Sequence, residues 1–211
     1  MPIITDFQKV LNQVHTSKNL ENYQIQESVL RSVVNNYPTH NSKAAVELKV
    51  KLLNSFYSTN VMAVQQMTDK IWKIKDIDAR LKCGDQTLVY DIAPMLGRNF
   101  YSFATKYCAL HQPNLFPIFD SIVSDTFKKL LSKNQLAPQY NYSSNASSKA
   151  NNIYSLKSFE KNILHDYVKY CELYQYFKKI FNLDQENVRD IDWYIWGGRK
   201  LNVNYDLLKF L

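Results

Sequence analysis

The sequence predicts an all-α fold. Three observations predict it. Glycine occurs four times and proline six times in 211 residues, too few for the tight turns of an all-β chain. Apolar residues recur every three or four positions along most of the chain. No stretch alternates apolar and polar residues convincingly enough to read as a strand. With 45% hydrophobic residues, the chain can fill the core of one large domain over 1–211, or of two lobes.

The elements follow in order. "IITDFQKVLNQV" places Ile4, Phe7, Val10, Leu11 and Val14 on one helical face. A second helix spans Leu20 to Asn36 and stops before Pro38, because the residue preceding a proline avoids helical geometry. Ser42 is a candidate N-cap for "SKAAVELKVKLLNSFYST", whose expected core face is Ala45, Leu48, Leu52, Leu53 and Phe56. "NVMAVQQMTDKIWKI" continues as a helix capped by Thr59 or Asn60. Gly84 and Asp85 mark a break, and Asp85 can cap "QTLVYDIA". Pro94 and Gly97 bracket a tight turn, "PMLGRN". The next helix carries Phe100, Phe103, Ala104, Tyr107, Cys108 and His111 on one face and ends at Pro113. A helix from Ile118 to about Lys133 follows. The polar stretch 134–152 reads as a loop. "SFEKNILHDYVKYCELYQYFKKIF" and "VRDIDWYIWGG" close the chain as helices, with Gly197 as the stop of the last.

A net charge of +7 favours polyanionic partners through Coulomb attraction and counterion release. Cys83, Cys108 and Cys171 lie far apart without a CxxC pair. That spacing argues against a disulfide framework and against a zinc or iron–sulfur site, and is expected of reduced thiols in the cytoplasm. No secretory leader is evident in "MPIITDFQKV", and no window reaches the length of a membrane span. His15, His40 and His165 show no metal-ligand spacing, so neither metal nor cofactor is expected.

Chemistry is sought between Asp85 and Val123. This section reads helix, glycine-containing hairpin, helix, then a turn into a carboxylate, Asp120. Asp120 heads "DSIVSDTFKKLL", so it reads either as an N-cap or as a charge held for catalysis. Gly97 reads as a turn glycine or as a close-approach point for phosphate. Arg98 and Asn99 are candidate contacts beside it. Lys106, opposite the apolar face of its helix, reads as a solvated lysine or a phosphate contact. Cys108 and His111 read more simply as core residues than as a nucleophilic pair. "WYIWGGRK", from Trp193 to Lys200, reads as core packing or as an aromatic–cationic surface for unpaired bases. The aromatic residues Tyr167, Tyr170, Tyr174, Tyr176 and Phe177 surround their helix and suggest burial on several sides or a surface for a protein partner.

"LGRNFYSFATKYCALHQPNLFPIFDSIV" resembles the helix-hairpin-helix region of the base-excision DNA glycosylase superfamily, the HhH-GPD fold. The resemblance implies a two-lobed helical protein, with a central lobe over about 42–133 and a second built from 1–41 and 150–211. It implies double-stranded DNA as partner, Gly97 as the hairpin glycine and Asp120 as the family aspartate. Met95 stands where the first glycine of the family's G-x-G falls. Where the bifunctional members carry a lysine nucleophile, this chain reads Asn99-Phe100-Tyr101-Ser102, and Lys106 comes too late. The implied activity is therefore monofunctional N-glycosidic hydrolysis, in which the aspartate stabilises the cation developing on the sugar. The alternative is a helical protein-interaction module that kept such a fold without the chemistry.

Overall fold

A computed structural model describes residues 3–136, 139–143 and 153–211. The protein is all-α, with eleven α-helices among the described residues. The chain divides into two compact units. One comprises residues 18–119, and the other residues 1–17 with 120–211.

The unit of residues 18–119 contains α2 (Glu21–Asn36), α3 (Lys43–Tyr57), α4 (Val64–Trp72), α5 (Ile77–Cys83), α6 (Leu88–Ile92) and α7 (Tyr101–His111). Ser42 caps α3 by accepting the Ala45 amide at 3.4 Å. The buried face of α3 is Ala45, Val46, Lys49, Val50 and Leu53, not the expected stripe through Leu48, Leu52 and Phe56. Packing on α2, α4 and α7 turns the helix so that Lys49 lies inward and Leu48 outward. Thr59 and Asn60 do not cap α4. The Asn54 side chain closes the α3–α4 connection instead, bonding both the Val61 amide and its carbonyl. Helix α5, which the sequence reading did not anticipate, ends at Gly84 in the left-handed region. Asp85 accepts the Thr87 amide and hydroxyl before α6 and pairs with Arg80.

The other unit holds α1 (Phe7–Thr16), α8 (Ser121–Ser132), α9 (Leu156–Phe159), a π-turn over Glu160–Leu164, α10 (Tyr167–Ile180) and α11 (Val188–Lys200). The expected face of α1 is buried in full. Helix α11 does not stop at Gly197. It runs three residues further, because Gly197 is where α1 crosses closely: a Cβ there would lie 2.5 Å from Val14 Cγ1. The expected single helix over 158–181 is broken by the π-turn, after which Asp166 caps α10 through the Lys169 amide. Tyr167, Tyr170, Tyr174 and Phe177 have no exposed surface and belong to the core, while Tyr176 is half-buried. Trp193 is buried. Of the stretch read as a loop, residues 137, 138 and 144–152 lie outside the described residues. Its described ends pair as two-residue strands, Asn141–Tyr142 with Ile153–Tyr154.

Candidate functional site

Between α6 and α7 the chain makes the expected glycine-containing hairpin, closed by two-residue strands. Strand β1 (Pro94–Met95) pairs with β2 (Arg98–Asn99), Pro94 opposite Asn99 and Met95 opposite Arg98. Leu96 and Gly97 form the loop, both with positive φ, 51° and 71°. This is the turn geometry whose twist matches that of paired strands. Gly97 needs its freedom for φ alone, since a Cβ there would meet nothing within 4 Å. Leu96 has no such freedom. A leucine in the left-handed region costs roughly 1–2 kcal/mol, and this one is also 68% exposed. The base of the hairpin is fixed by the buried Met95 and by the Phe100 amide donating to the Ala93 carbonyl at 2.8 Å. Arg98 and Asn99 are exposed, with the Arg98 guanidinium over the Phe100 ring at 5.0 Å.

Lys106 is not a solvated lysine. Helix α7 is buried on nearly every side, Lys106 included. Its ammonium donates to Ser102 Oγ at 2.5 Å and lies 5.6 Å from the Tyr57 ring. Ser102 Oγ in turn donates to the Phe119 carbonyl at 2.9 Å, and the Phe119 amide donates to Thr105 Oγ1 at 3.2 Å. Helix α7 thus holds both polar groups of Phe119, the residue before Asp120.

Asp120 opens the C-terminal part of the other unit. Its Oδ1 accepts the Val123 amide at 2.8 Å, and its carbonyl accepts the Ser124 amide. It is the N-cap of α8. The cap occupies one carboxylate oxygen of a half-buried side chain.

The unit of residues 18–119 also contains a polar cluster. His40 is buried, and its Nδ1 and backbone amide meet the two oxygens of Asp78 at 2.6 and 3.1 Å. With Asp78 ionised, Nδ1 carries the proton, and Nε2 accepts the Tyr107 hydroxyl at 2.8 Å. The His111 ring lies 4.9 Å from that of His40, and its Nε2 is buried with no hydrogen-bond partner. Lys49, without exposed surface, donates to the Thr39 carbonyl at 3.2 Å. Burial pushes the Lys49 ammonium down to about 8, against the opposing pull of Asp78. Burial also lowers His40, with the Asp78 hydrogen bond opposing. It holds His111 well below the ordinary imidazole value, helped by repulsion from Lys49 and His40. Burial would raise the Asp78 carboxyl, but the two His40 hydrogen bonds outweigh it and the net shift is downward. The result is a hydrogen-bonded chain from a partly exposed carboxylate to a buried phenol. Among the described residues no group of His, Cys, Asp and Glu could hold a metal ion, and no helix is long and apolar enough to cross a membrane.

A family model described as "HI_0787_N: N-terminal domain" matches residues 7–115. A relative from Haemophilus influenzae (strain ATCC 51907 / DSM 11121 / KW20 / Rd), named "Uncharacterized protein", is 31% identical over 151 residues, 70% of this chain. The chain belongs to the HI_0787_N family. It spans 62% of that relative's length. No solved structure matches it.

The segment shared with the HI_0787_N family holds the hairpin, Lys106 and the whole His40 cluster, whereas Asp120 lies beyond it. Gly97, Arg98, Asn99, Lys106 and Asp120 are the candidates from the sequence. The structure puts the first three on one hairpin, buries Lys106 one turn into α7 and assigns Asp120 to the other unit. Nothing in the sequence marked Asp78, Tyr107 was expected only on the apolar face of α7, and His40 and Lys49 had no expected role. One signal was available. Lys49 sits within "AAVELKVKLL" at the spacing of Ala45 and Leu53, where a charge on an apolar stripe marks either a register error or a buried cation.

Proposed function

We propose that this protein binds double-stranded DNA through the hairpin between α6 and α7. One observation carries the reading: a stiff two-residue turn offers an unobstructed glycine backbone beside the exposed side chains of Arg98 and Asn99. Such a turn lets phosphate approach backbone amides that a side chain would shield, and a guanidinium beside it can clamp the same anion. The charge of +7 supports association with a polyanion. Within this reading the catalytic candidate is Asp120, whose carboxylate would face the cation that develops on a sugar as its base departs, water completing an N-glycosidic hydrolysis. The test is fluorescence anisotropy with a labelled duplex across a salt series. Affinity falls with salt at a log–log slope of roughly −0.9 per phosphate contact. Arg98→Ala weakens binding to all sequences alike and reduces that slope by about one unit.

A second reading, a protein-interaction module, is favoured by α2. This helix buries only Leu30 among its residues and exposes Tyr23, Ile25 and Val29. Absence of duplex binding at low salt selects this reading over the first.

A further inference from the structure

We propose that the interior of the unit of residues 18–119 holds a binding site for a small oxyanion, with the Lys49 ammonium as its countercharge and His111 Nε2 as its second donor. The site lies apart from the hairpin, and the inference goes beyond the DNA-binding reading.

An ammonium carries three donors. Lys49 has no exposed surface, and among the described residues its hydrogen-bond partner is the Thr39 carbonyl, a neutral group, at 3.2 Å. Asp78 attracts the ammonium, but its two oxygens are engaged by the ring and the amide of His40. Both ring nitrogens of His40 are engaged as well, one on Asp78 and the other on the Tyr107 hydroxyl. His111 differs. Its ring packs against those of His40 and Tyr107 at centroid distances of 4.9 and 5.4 Å, and its Nε2 is buried without a partner. A buried nitrogen left unpaired costs stability, and native structures rarely keep one without a cause. The spare capacity of the cluster is therefore on Lys49 and on His111.

The chemistry of these two groups selects the ligand. Both are basic. Burial and then the charge of Lys49 hold the His111 imidazole below its ordinary value. An anion shared by the two reverses that repulsion. It pairs with the ammonium through a charge-assisted bond and accepts from a protonated Nε2 of His111. A cation gains nothing beside Lys49. Carboxylates and phosphates both present the acceptor oxygens required. The cluster meets solvent at Asp78, whose side chain is 45% exposed, and at the half-buried His111, and a ligand enters by these edges.

The full chain is titrated with acetate, and separately with inorganic phosphate, at constant ionic strength and neutral pH, while the imidazole nitrogen signals are followed by NMR. Binding moves the His111 signals saturably and leaves those of the exposed His15 in place. Saturation by acetate alone marks a carboxylate site, and saturation by phosphate alone a phosphate site. Either result supports the proposal. In the wild type the affinity falls as pH is raised past about 8, where Lys49 loses its charge. Lys49→Met weakens binding at least about tenfold, because it removes a charged donor. No saturable movement of His111 with either anion overturns the site. So does wild-type affinity in Lys49→Met, or an affinity that is unchanged above that pH.

Discussion

Helices α7 and α10 are each buried well beyond a single face, but they bury different chemistry. In α10 the buried polar groups are hydroxyls. Tyr170, Tyr174 and Phe177 pack around Phe127 at centroid distances of 6.0, 6.1 and 5.6 Å. The Tyr174 hydroxyl donates to the buried Asp192 at 2.8 Å. A phenol brings large apolar area and one polar atom that a single partner satisfies. In α7 the buried polar residues include Thr105, Lys106 and Tyr107, and His40, His111 and Lys49 lie in the same unit, with Asp78 bonded to His40. Burying basic groups is expensive unless each is paired. The two differ in the sign of what they enclose: α10 sets a hydroxyl on the buried carboxylate of Asp192, whereas the unit around α7 encloses basic groups.

The largest expected effect tests the packed unit. Gly197→Ala forces a methyl group against Val14, whose branched carbon cannot swing away. The substitution lowers stability by about 3 kcal/mol, read as a shift of the urea midpoint. Adding Val14→Ala restores part of the loss. Wild-type stability in Gly197→Ala would show that α1 and α11 do not cross there.

Next comes the charged unit. Lys49→Met replaces a buried ammonium by an apolar chain of similar length and raises stability at neutral pH by about 2 kcal/mol. The pH dependence gives the sharper test. Lys49 titrates near 8 in the fold against its ordinary 10.5. As pH falls from 10.5 to 8, the unfolded chain takes up the proton that the fold resists, so stability declines over that window and levels off below it. Lys49→Met removes that slope. A slope that survives in Lys49→Met would assign the titration to another group, and a variant less stable than wild type would mean that the charge is compensated.

The smallest effect concerns the α8 cap. Asp120→Ala costs about 1 kcal/mol and Asp120→Asn almost nothing, because Asn caps as well as Asp. Thermal unfolding of the two variants separates capping from charge. If a lesion-bearing duplex that releases a base is found, loss of release in Asp120→Asn supports the catalytic role, and retained release ends it.

How much of this was legible in the sequence can be judged from single residues. Ile4, Phe7, Val10, Leu11 and Val14 announced the buried face of α1, because a strong amphipathic stripe has one way to hide. Ser42 and Asp120 announced their caps, because capping is decided within three residues. The stripe on α3 was misread, because the inward face includes Lys49 and a charge interrupts the apolar spacing that would mark it. Gly197 was misread as a stop, because its neighbour Val14 is nearly the whole chain away. The tyrosines of α10 were left between core and surface, because a helix with aromatics on several sides does not say what surrounds it. Of the candidate site, Gly97 and Arg98 were legible as turn chemistry. The strain at Leu96 was not, since leucine is a poor sign of positive φ and the turn type had to be seen.

By itself the sequence determined the all-α class, most of the helices, two of their caps and the hairpin that interrupts them. These follow from local periodicity, from side chains that satisfy nearby amides and from glycines that permit positive φ. Only the tertiary structure decided which face of α3 is inside, that α11 runs through its glycines, and that His40, Lys49, Asp78, Tyr107 and His111 share one interior. Burial is set by contacts between segments distant in sequence, and the field acting on a charge depends on every group brought near it, which no single helix can disclose.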